Sequence, residues 1–65
     1  MQTNFKDFYP EGSKIIWKDL DTHENFIVEV MRIESNEKSS VLVFKFDDGL
    51  IRATSLPSDQ IQQLN

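Results

Sequence analysis

The sequence predicts a small all-β protein in which five strands close into a barrel. Short segments rich in β-branched and aromatic residues recur about every ten residues, with turn-forming residues between them. The length of 65 residues allows a single domain. Closing so small a sheet would also remove the open strand edges that promote aggregation. The predicted strands are Lys14–Lys18, Phe26–Ile33, Ser40–Phe46, Leu50–Ser55 and Ile61–Leu64.

The chain divides into a predicted N-terminal tail, 1–10, and a folded domain, 11–65. The polar beginning of the tail is consistent with a frayed segment or with a short helical turn capped by Thr3 or Asn4. Pro10–Gly12 predicts the turn that leads into the first strand. All of the predicted strands therefore lie in the folded domain.

The third strand and the turn after it carry the most information. Alternation places Leu42, Phe44 and Phe46 on one face of the strand. Phe44 is predicted to be a core residue. The dipeptide Asp48-Gly49 predicts a hairpin, because glycine accepts the positive φ that such turns require. Phe46 and Asp48 are therefore expected at the rim of the barrel.

A second turn is predicted before the last strand. Pro57 ends the preceding strand, and the polar residues after it predict a single helical turn. Ser58 or Asp59 is the expected cap of that turn. The short closing strand would follow directly.

The charge balance favours some classes of binding partner and disfavours others. The chain has 11 acidic and 7 basic residues and a net charge of −4. Binding to a nucleic-acid backbone requires clustered lysine and arginine, and the basic residues here are scattered. Direct nucleic-acid binding is disfavoured, whereas an acidic surface attracts a basic partner. No apolar run is long enough for a membrane span.

The residue types also argue against catalysis and metal binding. The chain has no cysteine and one histidine, His23, in a predicted polar loop. No nucleophile–base pair or metal-ligand spacing can be assembled from this set. We therefore predict no enzymatic activity, no cofactor and no metal. The absence of cysteine also favours a reducing compartment.

Three aromatic residues from three predicted strands and one acid from the Asp-Gly turn are candidates for one pocket: Trp17, Phe26, Phe46 and Asp48. Aromatic faces with one carboxylate suit a bulky organic cation such as a methylated ammonium. The alternative for each residue is structural. Trp17 at a strand end beside a polar loop is expected to stay partly exposed, but large aromatic residues often lie in the core. Phe26 and Phe46 share faces with core residues, and Asp48 has a sufficient role in the turn.

A set of motifs along the chain resembles a known family. The motifs are Gly12-x4-Trp17, Phe26-x-Val28-x-Val30, Val43-x-x-Phe46-Asp47-Asp48-Gly49 and the element from Asp59 to Ile61. In this order and spacing they resemble the Tudor domain, and the resemblance runs from about Glu11 to Leu64. The aromatic-acid-Asp-Gly turn is closest to the lysine-type Tudor domains of chromatin and DNA-repair factors. The resemblance implies an SH3-like five-stranded barrel.

The resemblance also implies a role for each candidate residue. Trp17, Phe26 and Phe46 match the aromatic walls of a cage for methylated lysine, and Asp48 matches the acid beside it. The family often has a further aromatic residue shortly after the turn glycine, where this chain has Leu50. Tyr9 and Leu50 are additional candidates for the site, and the alternative role of Tyr9 is to pack over the barrel opening. With three rings at roughly 0.5–2 kcal/mol each, we expect an affinity of tens of micromolar to millimolar.

Partners and location follow from the same resemblance. It implies binding to methylated histone tails or other basic protein tails, a nuclear location, and a monomeric domain within a larger chromatin-associated protein. Two alternatives remain. One is an interaction module whose incomplete cage binds no methyl group, and the other is a nucleic-acid-binding barrel. The only basic candidates for the latter are Lys14, Lys18, Lys45 and Arg52.

Overall fold

In a computed structural model, which describes residues 5–64, the protein consists of one short helix and one antiparallel sheet. The prediction of a small all-β fold is confirmed, and each predicted strand is present with shifts of one or two residues at its ends. The elements are α1 (Phe5–Phe8), β1 (Lys14–Lys18), β2 (Asn25–Ser35), β3 (Ser40–Lys45), β4 (Ile51–Leu56) and β5 (Ile61–Gln63).

The strand order in the sheet is β4-β3-β2-β1-β5. The first four strands form a meander, and β5 pairs with β1 in antiparallel fashion. β4 and β5 therefore lie at opposite edges, and backbone pairing does not close the sheet into the barrel that the sequence predicts. The sheet is curved, because Leu56 of β4 and Ile61 of β5 belong to one core cluster although they lie in the two edge strands. The radius of gyration is 11.5 Å.

A bulge in β2 supplies part of that curvature. Val30 lies opposite Phe44 and Arg32 lies opposite Val43, so Met31 is an extra residue in β2. Such a bulge bends its strand and increases the local twist. Val30 also continues the β1–β2 pairing beyond the start of β1. Its carbonyl accepts from the Gly12 N–H at 2.8 Å, and its N–H donates to the Ser13 carbonyl at 2.9 Å.

The core lies on the concave face of the sheet, where alternate residues of each strand converge. Phe44, predicted as core, is completely buried. Two partly buried residues pack against this core. Phe5 is the first residue of α1, and Tyr9 directly follows the helix. The predicted caps Thr3 and Asn4 lie outside the described residues. The core cluster consists of Ile15, Trp17, Val28, Val30, Ile33, Leu42, Phe44, Leu56 and Ile61.

The helical turn predicted after Pro57 is not a helix. Ser58 Oγ accepts a hydrogen bond from the Gln60 N–H at 3.2 Å, and the Ser58 carbonyl accepts from the Ile61 N–H at 3.4 Å. The segment before β5 is too short for a helix. The Ser58 hydroxyl instead accepts the hydrogen bond from the Gln60 N–H. The connection is a tight polar turn, and Ser58 caps it as the sequence indicates.

Candidate functional site

The hairpin turn after β3 fixes the positions of two candidate residues. The Gly49 N–H donates to the Phe46 carbonyl at 3.0 Å, and the Phe46 N–H donates to the Leu50 carbonyl at 2.8 Å. Gly49 has a φ of +92°, which explains why glycine occupies this position. Asp48 Oδ1 accepts from the Leu50 N–H at 2.9 Å. Asp48 therefore has the role in the turn that the sequence indicates.

The β1–β2 connection brings a second acid to the same rim. Trp17 lies opposite Phe26 in the sheet register, so the two share a face. Asp19, two residues after Trp17, bonds through its N–H to the Glu24 carbonyl at 2.9 Å. Its Oδ1 accepts from the Asp21 N–H at 2.8 Å. These bonds hold the Asp19 carboxylate beside Phe26.

Four aromatic rings form a continuous chain from the core to this rim. Trp17 and Phe44 have ring centroids 4.9 Å apart, and Phe44 and Phe46 have centroids 5.7 Å apart. Phe46 then meets Phe26 edge to face, with centroids 5.5 Å apart and an interplanar angle of 73°. Aromatic pairs favour such tilted and edge-to-face arrangements. The inner two rings anchor the outer two.

The outer rings line a shallow depression with a cavity volume of about 200 Å³. Two aromatic rings, two carboxylates, one aliphatic side chain and one guanidinium surround it. Arg52 Cζ lies 5.9 Å from the centroid of the Phe46 ring, within cation–π range. The depression is lined by Asp19, Phe26, Phe46, Asp48, Leu50 and Arg52.

The structure brings together four of the six residues proposed from the sequence. Phe26, Phe46, Asp48 and Leu50 all line the depression. Trp17 does not, because it is 7% exposed and packs against Phe44 in the core. The expected partial exposure of Trp17 is therefore wrong. Trp17 is covered because β1 lies between β2 and β5 and the Trp17 ring packs against Phe44 in the core.

Tyr9 is also absent from the lining of this depression. Its N–H bonds to the Phe5 carbonyl at 2.9 Å, which closes the helical turn of α1. Its side chain is half-buried against the core. Of the two roles open to Tyr9, packing over the core is the one observed.

Two residues in the depression are new relative to the sequence prediction. Asp19 has the same strand parity as Trp17, so alternation alone would have placed it on the same face. Arg52 lies opposite Phe44 in the β3–β4 register, which likewise places it on the inner face. From the sequence alone, Arg52 is a candidate only as a basic residue for nucleic-acid binding. Its contact with Phe46 depends on the tight turn between them.

A larger groove of about 460 Å³ lies at the other end of β3. It surrounds the β2–β3 turn, where Asn36 Oδ1 accepts from the N–H groups of Lys38 and Ser39 at 2.8 and 2.9 Å. The hydroxyls of Ser35 and Ser40 bond to each other at 2.9 Å. These polar groups satisfy one another, so size alone does not make this groove the better site.

Other kinds of site are not seen in the described part of the chain. Residues 5–64 contain no group of three or more His, Cys, Asp or Glu side chains placed to hold a metal ion. His23 lies exposed in the β1–β2 connection, with its N–H bonded to the Asp19 carbonyl at 2.7 Å. No helix within these residues is long and apolar enough to cross a membrane.

Comparison with known proteins does not identify a relative. No family model, no curated protein and no solved structure matches the chain. The interpretation of the depression therefore depends on its own geometry and chemistry.

Proposed function

We propose that the protein is a binding module that recognises methylated lysine in a basic protein tail, with the depression at the end of β3 as its site. The observation that carries the proposal is the convergence of Phe26 and Phe46 with Asp19 and Asp48 around one opening. A methylated ammonium keeps its charge but is less strongly hydrated, so aromatic faces compete well with water for it.

The number of exposed aromatic rings determines the affinity that we expect and the methylation state that the site prefers. Because Trp17 is buried, two rings remain, each contributing roughly 0.5–1 kcal/mol at an exposed site. The two carboxylates add a charge term and can accept a hydrogen bond from a mono- or dimethyl ammonium. A trimethyl ammonium has no N–H to donate. We therefore expect weak binding, with a Kd on the order of 1 mM for an isolated side chain, and a preference for the lower methylation states.

The number of strands supports an SH3-like arrangement as part of this proposal. The five antiparallel strands match in number those of the barrel that the Tudor resemblance implies, although their backbone pairing leaves the sheet open. The aromatic-acid-Asp-Gly turn lies at the mouth of the fold, as that resemblance also implies. A nuclear, chromatin-associated role is the corresponding biological proposal, and a methylated histone tail is one basic tail of the required chemistry.

An interaction module that ignores methylation is the second candidate. It is favoured by the burial of Trp17 and by the Arg52 guanidinium over Phe46, since both reduce the aromatic surface open to a ligand. Nucleic-acid binding is less well supported. Glu29 lies opposite both Lys14 and Lys45 in the sheet register and places a negative charge between these two lysines.

The test is an amide NMR titration with basic peptides that differ only in lysine methylation. We expect methylation-dependent shifts at Asp19, Phe26, Phe46 and Asp48, and none around the groove near Asn36. Identical shifts for methylated and unmethylated peptides would favour the interaction module. Loss of all binding on modest addition of salt, together with binding to DNA or RNA, would favour the nucleic-acid alternative.

A pair of matched variants tests the role of the acid. Asp48→Asn keeps the oxygen that accepts from the Leu50 N–H but removes the charge, so the turn should be retained. We expect about tenfold weaker binding of a dimethyl-lysine peptide, since a hydrogen bond to a charged group contributes roughly 1.5 kcal/mol. Asp47→Asn removes the same charge one residue earlier, outside the depression, and is the control. Equal losses in both variants would indicate general electrostatic attraction instead of a site.

A further inference from the structure

The strand β4 presents an open edge to solvent. β4 pairs with β3 on one side, and within residues 5–64 no other strand pairs with its second side. Five of its six residues have exposed or half-buried side chains, and only Leu56 is buried. The strand contains no lysine, proline or bulge, three devices that protect an edge, and its one charged residue is the inward-facing Arg52. No backbone hydrogen bond from another element within residues 5–64 covers its second side. It is therefore available to pair with another chain.

The register shows which backbone groups are available. The Phe46 N–H donates to the Leu50 carbonyl, and Phe44 lies opposite Arg52. In an antiparallel pair, hydrogen-bonded residues alternate with residues whose backbone groups face away. The N–H and C=O groups that face away from β3 therefore belong to Ile51, Ala53 and Ser55.

The free edge begins at the depression. Leu50 and Arg52 line the depression, and Arg52 lies on the inner face of β4. In a strand added beside β4, the residue opposite Arg52 would direct its side chain to that same face. Its side chain would thus reach the opening between Phe46 and Asp48. One extended segment can occupy the edge and the depression together.

Charge and size decide which occupant fits this edge. A second copy of the chain carries the same net charge of −4 and is repelled, whereas a basic peptide is attracted. A stable protein dimer typically buries about 1,200 Å² or more, which a six-residue edge with small residues such as Ala53 and Ser55 does not supply alone. Weak peptide binding by strand addition needs less surface.

We propose that the free edge of β4 binds an extended basic peptide as an additional strand, which directs one alternate side chain into the depression. The identity of that side chain as methyl-lysine rests on the proposed function, whereas the strand pairing rests on the open edge. Backbone pairing supplies affinity that the two rings alone do not, and the depression selects the side chain.

Amide hydrogen exchange on the unmodified protein tests the pairing directly. The probes are a lysine-rich peptide with one central dimethyl-lysine, its unmethylated counterpart and the free amino acid dimethyl-lysine. We expect the peptides to slow exchange at Ile51, Ala53 and Ser55, and to change it less at Arg52 and Thr54, which already face β3. Free dimethyl-lysine has no strand to add and should slow none of them.

A proline variant provides the second test. Ala53→Pro removes an N–H that faces away from β3, a position where an edge strand accepts proline. We expect the variant to bind the peptide at least about fivefold more weakly, since one backbone hydrogen bond and the approach of the strand are lost. Ala53→Ser keeps the N–H and should bind like the unmodified protein. Neither variant should change binding of free dimethyl-lysine, which also confirms that the fold is intact.

The outcomes separate this inference from the proposed function. Methylation-dependent shifts in the depression with unchanged exchange at Ile51, Ala53 and Ser55 would overturn strand addition and leave the reader function standing. Slowed exchange that is equal for both peptides would support strand addition and contradict methyl recognition. Slowed exchange that depends on protein concentration without peptide would show that a second copy takes the edge, and would also overturn the inference.

Discussion

At the scale of single residues, Arg52 has the most consequential position. Its guanidinium shares the depression with Phe46 and with two carboxylates, so the site already contains a cation of its own. An incoming ammonium must either displace this side chain or approach it against like-charge repulsion. The two acids offset that repulsion, so the arginine is compatible with the cation site that we propose.

Replacing Arg52 should therefore strengthen the site. We expect Arg52→Met to bind a dimethyl-lysine peptide about threefold or more tightly, because one like charge is removed at short range. The cost in the free energy of unfolding should be about 0.5 kcal/mol, the size of an exposed cation–π contact. Isothermal titration calorimetry and urea denaturation measure the two effects.

Lys45→Met is the matched control for that change. Lys45 lies opposite Glu29 and Ile51 on the outer face of the sheet, away from the depression. The variant loses the same unit of positive charge, but no cation is removed from the rim. If both variants gain affinity equally, net charge and not the contact with Phe46 is responsible.

At the scale of elements, the β3–β4 turn joins the fold to the site. Three residues that line the depression, Phe46, Asp48 and Leu50, take part in its hydrogen bonds. Its geometry depends on Gly49, whose φ of +92° other residues adopt only at a cost. The β2 bulge at Met31 acts on the opposite side of β3 and curves the sheet behind the turn.

Gly49→Ala should destabilise the protein through backbone strain alone. A Cβ at this position would meet no other atom within 4 Å, so no steric clash contributes. We expect a loss of about 1–2 kcal/mol in the free energy of unfolding, measured by urea denaturation. Gly49→Asn should lose less, because asparagine tolerates left-handed conformations better than alanine. Equal stabilities of the alanine variant and the unmodified protein would contradict the observed turn.

At the scale of the whole molecule, the charge balance governs the approach of a partner. The net charge of −4 acts on a molecule whose radius of gyration is 11.5 Å. Raising the ionic strength from about 0.01 M to about 0.1 M shortens the Debye length from roughly 30 Å to roughly 10 Å. At the higher ionic strength a ligand in the depression is influenced mainly by the acids nearest to it.

Association of a basic peptide should therefore slow as salt is added. We expect the association rate constant to fall several-fold over that range while the dissociation rate constant changes little, as for other electrostatically steered encounters. Stopped-flow measurement with a fluorescent peptide determines both constants. A peptide of the same length without charge serves as the control. A salt effect confined to dissociation would contradict steering by the net charge.

The sequence alone determined the strands, the turns and the acidic character of the surface. These features depend on local alternation and turn chemistry, so Lys14–Lys18 and the Asp48-Gly49 hairpin are predictable without tertiary information. The burial of Phe44 was equally predictable, because an aromatic residue on the apolar face in the middle of an alternating strand is expected in the core. The shared opening of Phe26, Phe46 and Asp48 was also predictable, since all three lie at strand ends on one side.

Only the tertiary structure decided which residues reach solvent there. Trp17 is covered because its ring packs against Phe44 in the core, and Arg52 meets Phe46 because the turn is tight. Neither contact follows from spacing along the chain. The tertiary structure also determines that β5 pairs with β1 and that β4 and β5 form the two edges of the sheet. A local pattern specifies that a strand forms, but whether its second edge finds a partner depends on the curvature of the whole sheet, and here β4 keeps that edge open.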